Sequence, residues 1–177
     1  NGANLAYRRK VFLEKNQYSK DDKASGDDVF LLHNIKQYYS HSILFAKNLD
    51  ALVLTDPKKS FTDFLNQRLR WSSKSVHYRD FDTIFVSMLV FTTNLLVVIS
   101  AICLMFESIY TNELISMIVL KFIIDFIFLV PILSFFNRTS LIGLIPILQF
   151  FYPIYITLTS IISTFVSFNW KGRIEKS

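Results

Sequence analysis

The chain has 177 residues, 51% of them hydrophobic and 16% aromatic, with 19 Lys+Arg against 14 Asp+Glu. Eighteen Phe beside four Gly and four Pro exclude a disordered, collagen-like or disulfide-stapled chain. The single cysteine, Cys103, excludes an intramolecular disulfide framework and a Cys-based zinc site.

The averages hide a split. Residues 1–80 hold 14 Lys+Arg and 9 Asp+Glu, whereas residues 81–177 hold 5 of each. The net charge of +5 therefore lies in the first half, and the apolar residues gather in the second. The opening Asn1-Gly2-Ala3 has no initiator Met, no charged n-region and no apolar h-region. It reads as the interior of a domain, without a signal peptide, and the chain as a C-terminal fragment.

In chain order, Asn4–Arg9 is expected as a short strand and Val11–Tyr18 as one or two helical turns. Ser19–Ser25 is rich in Lys and Asp and reads as a loop. Asp27 or Asp28 caps a helix from about Val29 to Tyr39. Ile43–Phe45 and Ala51–Thr55 are β-rich and expected as strands. Asp56-Pro57 marks a turn. Ser60-x-x-Asp63 opens a helix that runs through Trp71.

The second half obeys a different solvent. Ile84–Phe106 is 23 residues without a charge, long enough to span a hydrocarbon core as helix. Leu114–Phe136 is a second span, interrupted by Lys121 and Asp125. Leu141–Phe168 is a third stretch of 28 uncharged residues, carrying Pro146 and Pro153. Three such runs leave no polar surface for water, so the chain reads as an integral membrane protein. The Lys and Arg are dispersed and form no nucleic-acid motif.

Orientation follows from charge bias. Arg68, Arg70, Lys74 and Arg79 precede the first span, and the loop Glu107–Glu113 carries two Glu and no Lys or Arg. Residues 1–80 are expected in the cytoplasm and that loop outside. A single crossing by Leu141–Phe168 leaves the basic tail (Lys171, Arg173, Lys176) outside, against the bias. A bend near Pro146–Pro153 that returns the segment as a re-entrant hairpin keeps the tail cytoplasmic, and is the reading taken here.

Three clusters in the first half carry candidate chemistry. In Gly2-Ala3-Asn4, small residues before a strand allow close backbone approach to a ligand, or simply a tight turn. In Gly26-Asp27-Asp28, two carboxylates open an apolar helix. The helix N-terminus favours a carboxylate, and a second one beside it raises the cost of ionising both, so one Asp is poised as a general base. The plain alternative is an N-cap with a solvated neighbour. In Gln67-Arg68-Leu69-Arg70-Trp71, Gln67, Arg70 and Trp71 share one helix face. An amide, a guanidinium and an indole suit a sugar or polyanionic ligand, or an anchor at the membrane interface.

Together, Gly-Ala-Asn, Gly-Asp-Asp and Gln-x-x-Arg-Trp, followed at once by membrane helices, resemble the membrane-bound glycosyltransferase family 2. That family includes cellulose, chitin, hyaluronan and poly-N-acetylglucosamine synthases. The closing Phe168-Asn169-Trp170-Lys171-Gly172-Arg173 also resembles the family's basic tail, which is usually cytoplasmic. The resemblance covers nearly the whole chain. It implies an α/β fold: the C-terminal part of a GT-A catalytic domain over residues 1–80, then an α-helical transmembrane region over 81–177.

The resemblance further implies that Asp28 is the base that deprotonates an acceptor hydroxyl and that Asp27 is the acidic residue before it. It implies that Gln67, Arg70 and Trp71 lie near the acceptor sugar and the donor pyrophosphate, and that Gly2, Ala3 and Asn4 line the acceptor pocket. The implied reaction is inverting transfer from a nucleotide-sugar, a UDP-sugar, to a glycan or lipid acceptor. The implied cofactor is Mg2+ or Mn2+, held by an Asp-x-Asp motif before residue 1, with no metal ligand in this chain. The rival from another class is a non-enzymatic polytopic protein, a transporter component or scaffold.

Other features carry plainer expectations. His33, His41 and His77 show no metal-ligand spacing. Lys121 and Asp125, at i and i+4 inside a span, read as a buried ion pair, or as part of a glycan or lipid path with Gln149, Tyr152 and Tyr155. Cys103 reads as an apolar, lipid-facing or packed residue.

Overall fold

A computed structural model describes residues 2–15, 27–106, 111–165, 168–170 and 173–175. They belong to two compact units, Asn1–Phe85 with Ile162–Ser177, and Val86–Ile161.

Among the described residues, the first unit is built on three helices. α1 (Arg9–Lys15) is short, and its Lys10–Glu14 pair is solvated and contributes little. α2 (Asp27–Tyr38) starts on two acidic residues and ends near Lys36, as the helix dipole favours. Its Leu31 is buried. α3 (Phe61–Ser73) starts where the Ser60 hydroxyl accepts the Asp63 N–H at 3.1 Å, the expected cap, and ends in a 3-10 turn over Lys74–His77.

At the other end of the chain, β1 (Phe168–Trp170) and β2 (Arg173–Glu175) pair antiparallel, Asn169 opposite Ile174. β1 lies against α3. The buried Ser163 hydroxyl donates to that of Ser72 at 2.9 Å.

The second unit holds three long helices. α4 (Phe81–Leu104) begins in the first unit and continues here, α5 is Thr111–Phe135, and α6 is Ile145–Ser163, most of it in this unit. A 3-10 segment, Thr139–Leu144, leads into α6. Among the described residues there are three candidate spans, Phe81–Leu104, Thr111–Phe135 and Thr139–Ser163. Each is long and apolar enough to cross a bilayer, and the chain is a membrane protein.

The turn after α5 has a specific cause. Asn137 adopts φ 53°, its N–H bonds the Ser134 carbonyl at 3.1 Å, and the Arg138 N–H bonds the Leu133 carbonyl at 2.8 Å. This pair of bonds closes a helix on a left-handed residue, which Asn tolerates. α6 accepts Pro146 in its first turn and continues without a break through Pro153 to Ser163, so the structure shows a helix where the sequence suggests a re-entrant bend.

The expected α/β fold is corrected. Among the described residues of 1–80 there is no strand, and the structure shows no GT-A domain. Residues 5–8 have no regular structure, Ile43–Phe45 follows a 3-10 turn (Ser40–Ser42), and Ala51 closes another (Leu49–Ala51). Ile43 and Leu52 do have extended dihedrals. An extended segment becomes a strand only when a neighbour supplies the other half of the ladder, and none does so here. The only strands among the described residues are β1 and β2.

Candidate functional site

Asp28 sits in the first turn of α2, and the segment before α1 folds back onto it. The Gly2 N–H donates to Asp28 Oδ2 at 2.6 Å. A Cβ at residue 2 would stand 3.5 Å from Asp28 Cβ and Oδ2, an ordinary van der Waals contact, so the bond does not itself demand glycine. Asn4 fixes the same segment from the other side, its Nδ2 donating to the Ala51 carbonyl at 2.7 Å. Two clusters from distant parts of the sequence are thus joined by a direct bond. Ala3 lies exposed in the turn between them.

The electrostatics of Asp28 are opposed. Partial burial pushes its carboxyl up, but the N–H groups of Gly2 and Val29 and the charge of Lys74 outweigh it. The net result is a carboxyl below its usual value, ionised at neutral pH. Tyr78 feels the same charge. Burial, then the Asp28 carboxylate, raises its phenol. Asp27 belongs to α2 by its backbone, and its side chain lies outside the described residues.

Lys74 connects this corner to α3. It follows Trp71 by three residues and Arg70 by four, directly after the helix. Gln67, Arg70 and Trp71 share a face of α3. Gln67 and Arg70 are half-buried, and Trp71 is 44% exposed. The backbone of β1 lies against this helix, so the first unit gathers the Gly-Ala-Asn, Gly-Asp-Asp, Gln-x-x-Arg-Trp and tail segments.

Several residues escaped the sequence reading. The Arg68 guanidinium lies over the rings of Phe64, at 4.9 Å, and Trp71, at 4.6 Å. One face of the Trp71 indole is therefore covered by a cation. The signal was available, since Phe64, Arg68 and Trp71 are spaced i, i+4, i+7. Lys36 bonds Asp80 at 2.7 Å and Asp82 at 2.7 Å. Asp80 in turn caps α4, accepting the Thr83 N–H at 3.0 Å and its hydroxyl at 2.7 Å. The hydrogen bonds of Lys36 and Thr83 hold the Asp80 carboxyl down at about 2, against partial burial, and the bonds to Asp80 and Asp82 raise the Lys36 ammonium.

His33 stacks edge-on against Tyr78 at 5.2 Å and meets the Thr83 hydroxyl at 3.3 Å. Burial lowers its imidazole, which Asp80 only partly opposes, so it is neutral at pH 7.

In the second unit Lys121 is 7% exposed. It donates to Asp125 and to Gln149 Oε1 at 3.0 Å, while Gln149 Nε2 donates to Asp125 Oδ2 at 2.9 Å. The Lys121 ammonium also lies 5.3 Å from the Tyr152 ring centre, and Tyr152 is 6.0 Å from Tyr155. This is a closed polar triad bridging α5 and α6.

Among the described residues no group of three His, Cys, Asp or Glu side chains could hold a metal ion. No protein family, curated protein or solved structure matches the chain.

Proposed function

We propose that this chain is part of a membrane enzyme that transfers a sugar, with inversion, from a nucleotide-sugar to a glycan or lipid-linked acceptor. The donor is a UDP-sugar, and transfer takes place at the cytoplasmic face of the inner membrane. The observation that carries the reading is the Gly2–Asp28 contact, which joins two of the three motif segments into one polar corner. The positive residues before α4 favour the cytoplasm for this corner.

In this reading Asp28 takes the proton of the acceptor hydroxyl. The hydroxyl oxygen bonds to the anomeric carbon as the bond to the diphosphate breaks, and the nucleoside diphosphate leaves with the electron pair. A carboxyl below its usual value is a weaker base, but it is always ionised when substrate arrives. The bond from Gly2 uses one acceptor site of a carboxylate that has about four, and leaves others for the incoming proton. Arg70 and Lys74 place positive charge where the diphosphate develops negative charge. Gln67 and the open face of Trp71 hold the sugar.

The test is Asp28→Asn in the full-length protein. Transfer should fall by about a hundredfold or more, with donor binding retained, because Asn keeps the shape but accepts no proton. Wild-type turnover in this variant removes Asp28 from the mechanism.

A further inference from the structure

The first unit contains a cavity of about 500 Å3 between α2 and the segments on either side of it. Its size lies within the range of about 300–1,000 Å3 typical of small-molecule sites. Leu5, Leu31, Leu32, Ile35 and Leu44 form its walls, and Arg8 is among its lining residues. We propose that this cavity holds one acyl chain of a neutral lipid bearing a free hydroxyl, with the hydroxyl directed to Asp28. The inference rests on the sugar-transfer reading and names its acceptor class.

Alignment along α2 is the first argument. Asp28, Leu32, Ile35 and Tyr39 stand at i, i+4, i+7 and i+11 and so share one face, Tyr39 continuing the helical bonding through its N–H to the Ile35 carbonyl. At about 1.5 Å per residue, Ile35 is about 10 Å along the axis from Asp28. A chain lying on this face has its end beside the carboxylate. The opposite wall repeats the order, because Gly2 binds Asp28 and residues 5–8 line the cavity.

Wall chemistry is the second argument. A sugar needs open aromatic faces and dense hydrogen bonding, and these walls are mainly aliphatic. Two aromatic residues, Tyr7 and Tyr39, line the cavity beside eight aliphatic ones, and the Tyr7 ring is already stacked on Phe12 at 5.0 Å. Hydrocarbon gains from such walls in proportion to the area it removes from water.

Charge decides the head. A hydroxyl head can donate directly to the Asp28 carboxylate, which an anionic oxygen cannot do. Arg8, among the lining residues, can turn a guanidinium donor to an ester carbonyl. A source of lipid is also at hand. Leu44 and its neighbour Phe45 are 91% and 84% exposed, an apolar edge at the cavity, on a unit that continues into a membrane helix.

In the transfer step the lipid oxygen bonds to the anomeric carbon of the nucleotide-sugar. Its proton passes to Asp28, and the nucleoside diphosphate departs with the electrons of the broken bond.

The test places the full chain in phosphatidylcholine vesicles containing a diacylglycerol with a diazirine at the end of one acyl chain. After irradiation, label is expected in peptides covering residues 5–11 and 31–44. It should fall about tenfold in Ile35→Trp, the change expected for a binding loss of about 1.4 kcal/mol. Independently of any folding defect in that variant, excess dioleoylglycerol should displace the label from the wild type. Label confined to α4, α5 and α6, or label that dioleoylglycerol does not displace, overturns the proposal.

Transfer of sugar to a soluble oligosaccharide without cavity label also overturns it, and leaves the sugar-transfer reading standing. Displaceable cavity label with no sugar transfer to any acceptor upholds the lipid site and removes the enzymatic reading.

Discussion

Arg68 and Arg70, two residues apart on α3, have different surroundings. Arg68 is stacked on Phe64 and Trp71, with its buried Nε atom lacking a hydrogen-bond partner. It serves the helix. Arg70 shares a face with Gln67, and in the proposed reaction it is the one that serves the diphosphate. Arg70→Lys should lower transfer by about tenfold, since Lys loses the paired N–H geometry, and should leave the helical circular dichroism unchanged. An unaltered rate would show that Arg70 only anchors the helix at the interface.

Asp80 gives a pH prediction. Its carboxyl is held at about 2 against an ordinary 3.8, so it stabilises the folded state fully above about pH 4. That contribution is lost as pH falls through 2. Asp80→Asn should therefore melt below the wild type at pH 7, and the two melting curves should converge near pH 2. Equal melting temperatures at pH 7 would mean that the Lys36 clasp contributes nothing. At this scale the place of Asp28 at the start of a helix was legible, because Gly-Asp-Asp before an apolar run is a local pattern. Lys74 was not, because its place follows from α3 passing into a 3-10 turn rather than from any spacing.

Helices and strands differed in how well the sequence announced them. Ser60 as cap of α3 and the long apolar helices α4 and α5 follow from local chemistry, which needs only neighbours in the chain, whereas the prolines of α6 suggest a bend that the helix does not make. Ile43–Phe45 and Ala51–Thr55 have the composition of strands, but pairing is decided elsewhere in the molecule, and no described segment pairs with them. Asn137 is a case where a single residue governs an element. Asn137→Gly should leave stability unchanged or slightly raised, whereas Asn137→Val should cost about 1 kcal/mol, because a branched side chain resists positive φ. Equal stability of the two would refute the left-handed cap.

The Lys121–Asp125 pair was legible from its i, i+4 spacing. Gln149, which closes the triad, comes from another helix and was named only as a neighbour of a possible path. Lys121→Met alone should cost on the order of 2 kcal/mol by leaving Asp125 without its cation, and adding Asp125→Leu should recover most of it. Stability in mild detergent reads this directly. Additive losses would mean the two groups do not interact.

At the scale of the whole molecule, both flanks of the apolar region belong to one unit. Phe81–Phe85 and Ile162–Ser163 are grouped with residues 2–80, and Ser163 bonds Ser72. Three complete crossings would set a hydrocarbon core of about 30 Å between those flanks. The tail and the first 80 residues are therefore expected on the same face of the membrane. In a Cys103→Ser background, Lys58→Cys and Glu175→Cys should react with an impermeant maleimide from the same side of sealed vesicles. Reaction from opposite sides would contradict the grouping.

What this unit does is tested most directly by incubating membranes that contain the full-length protein with a panel of radiolabelled nucleotide-sugars, then extracting lipid and polymer fractions. The account predicts that label from a UDP-sugar enters one of these fractions, and does so only when the protein is present. No incorporation from any donor, with the protein folded in the membrane, would contradict it and favour a transporter component or scaffold.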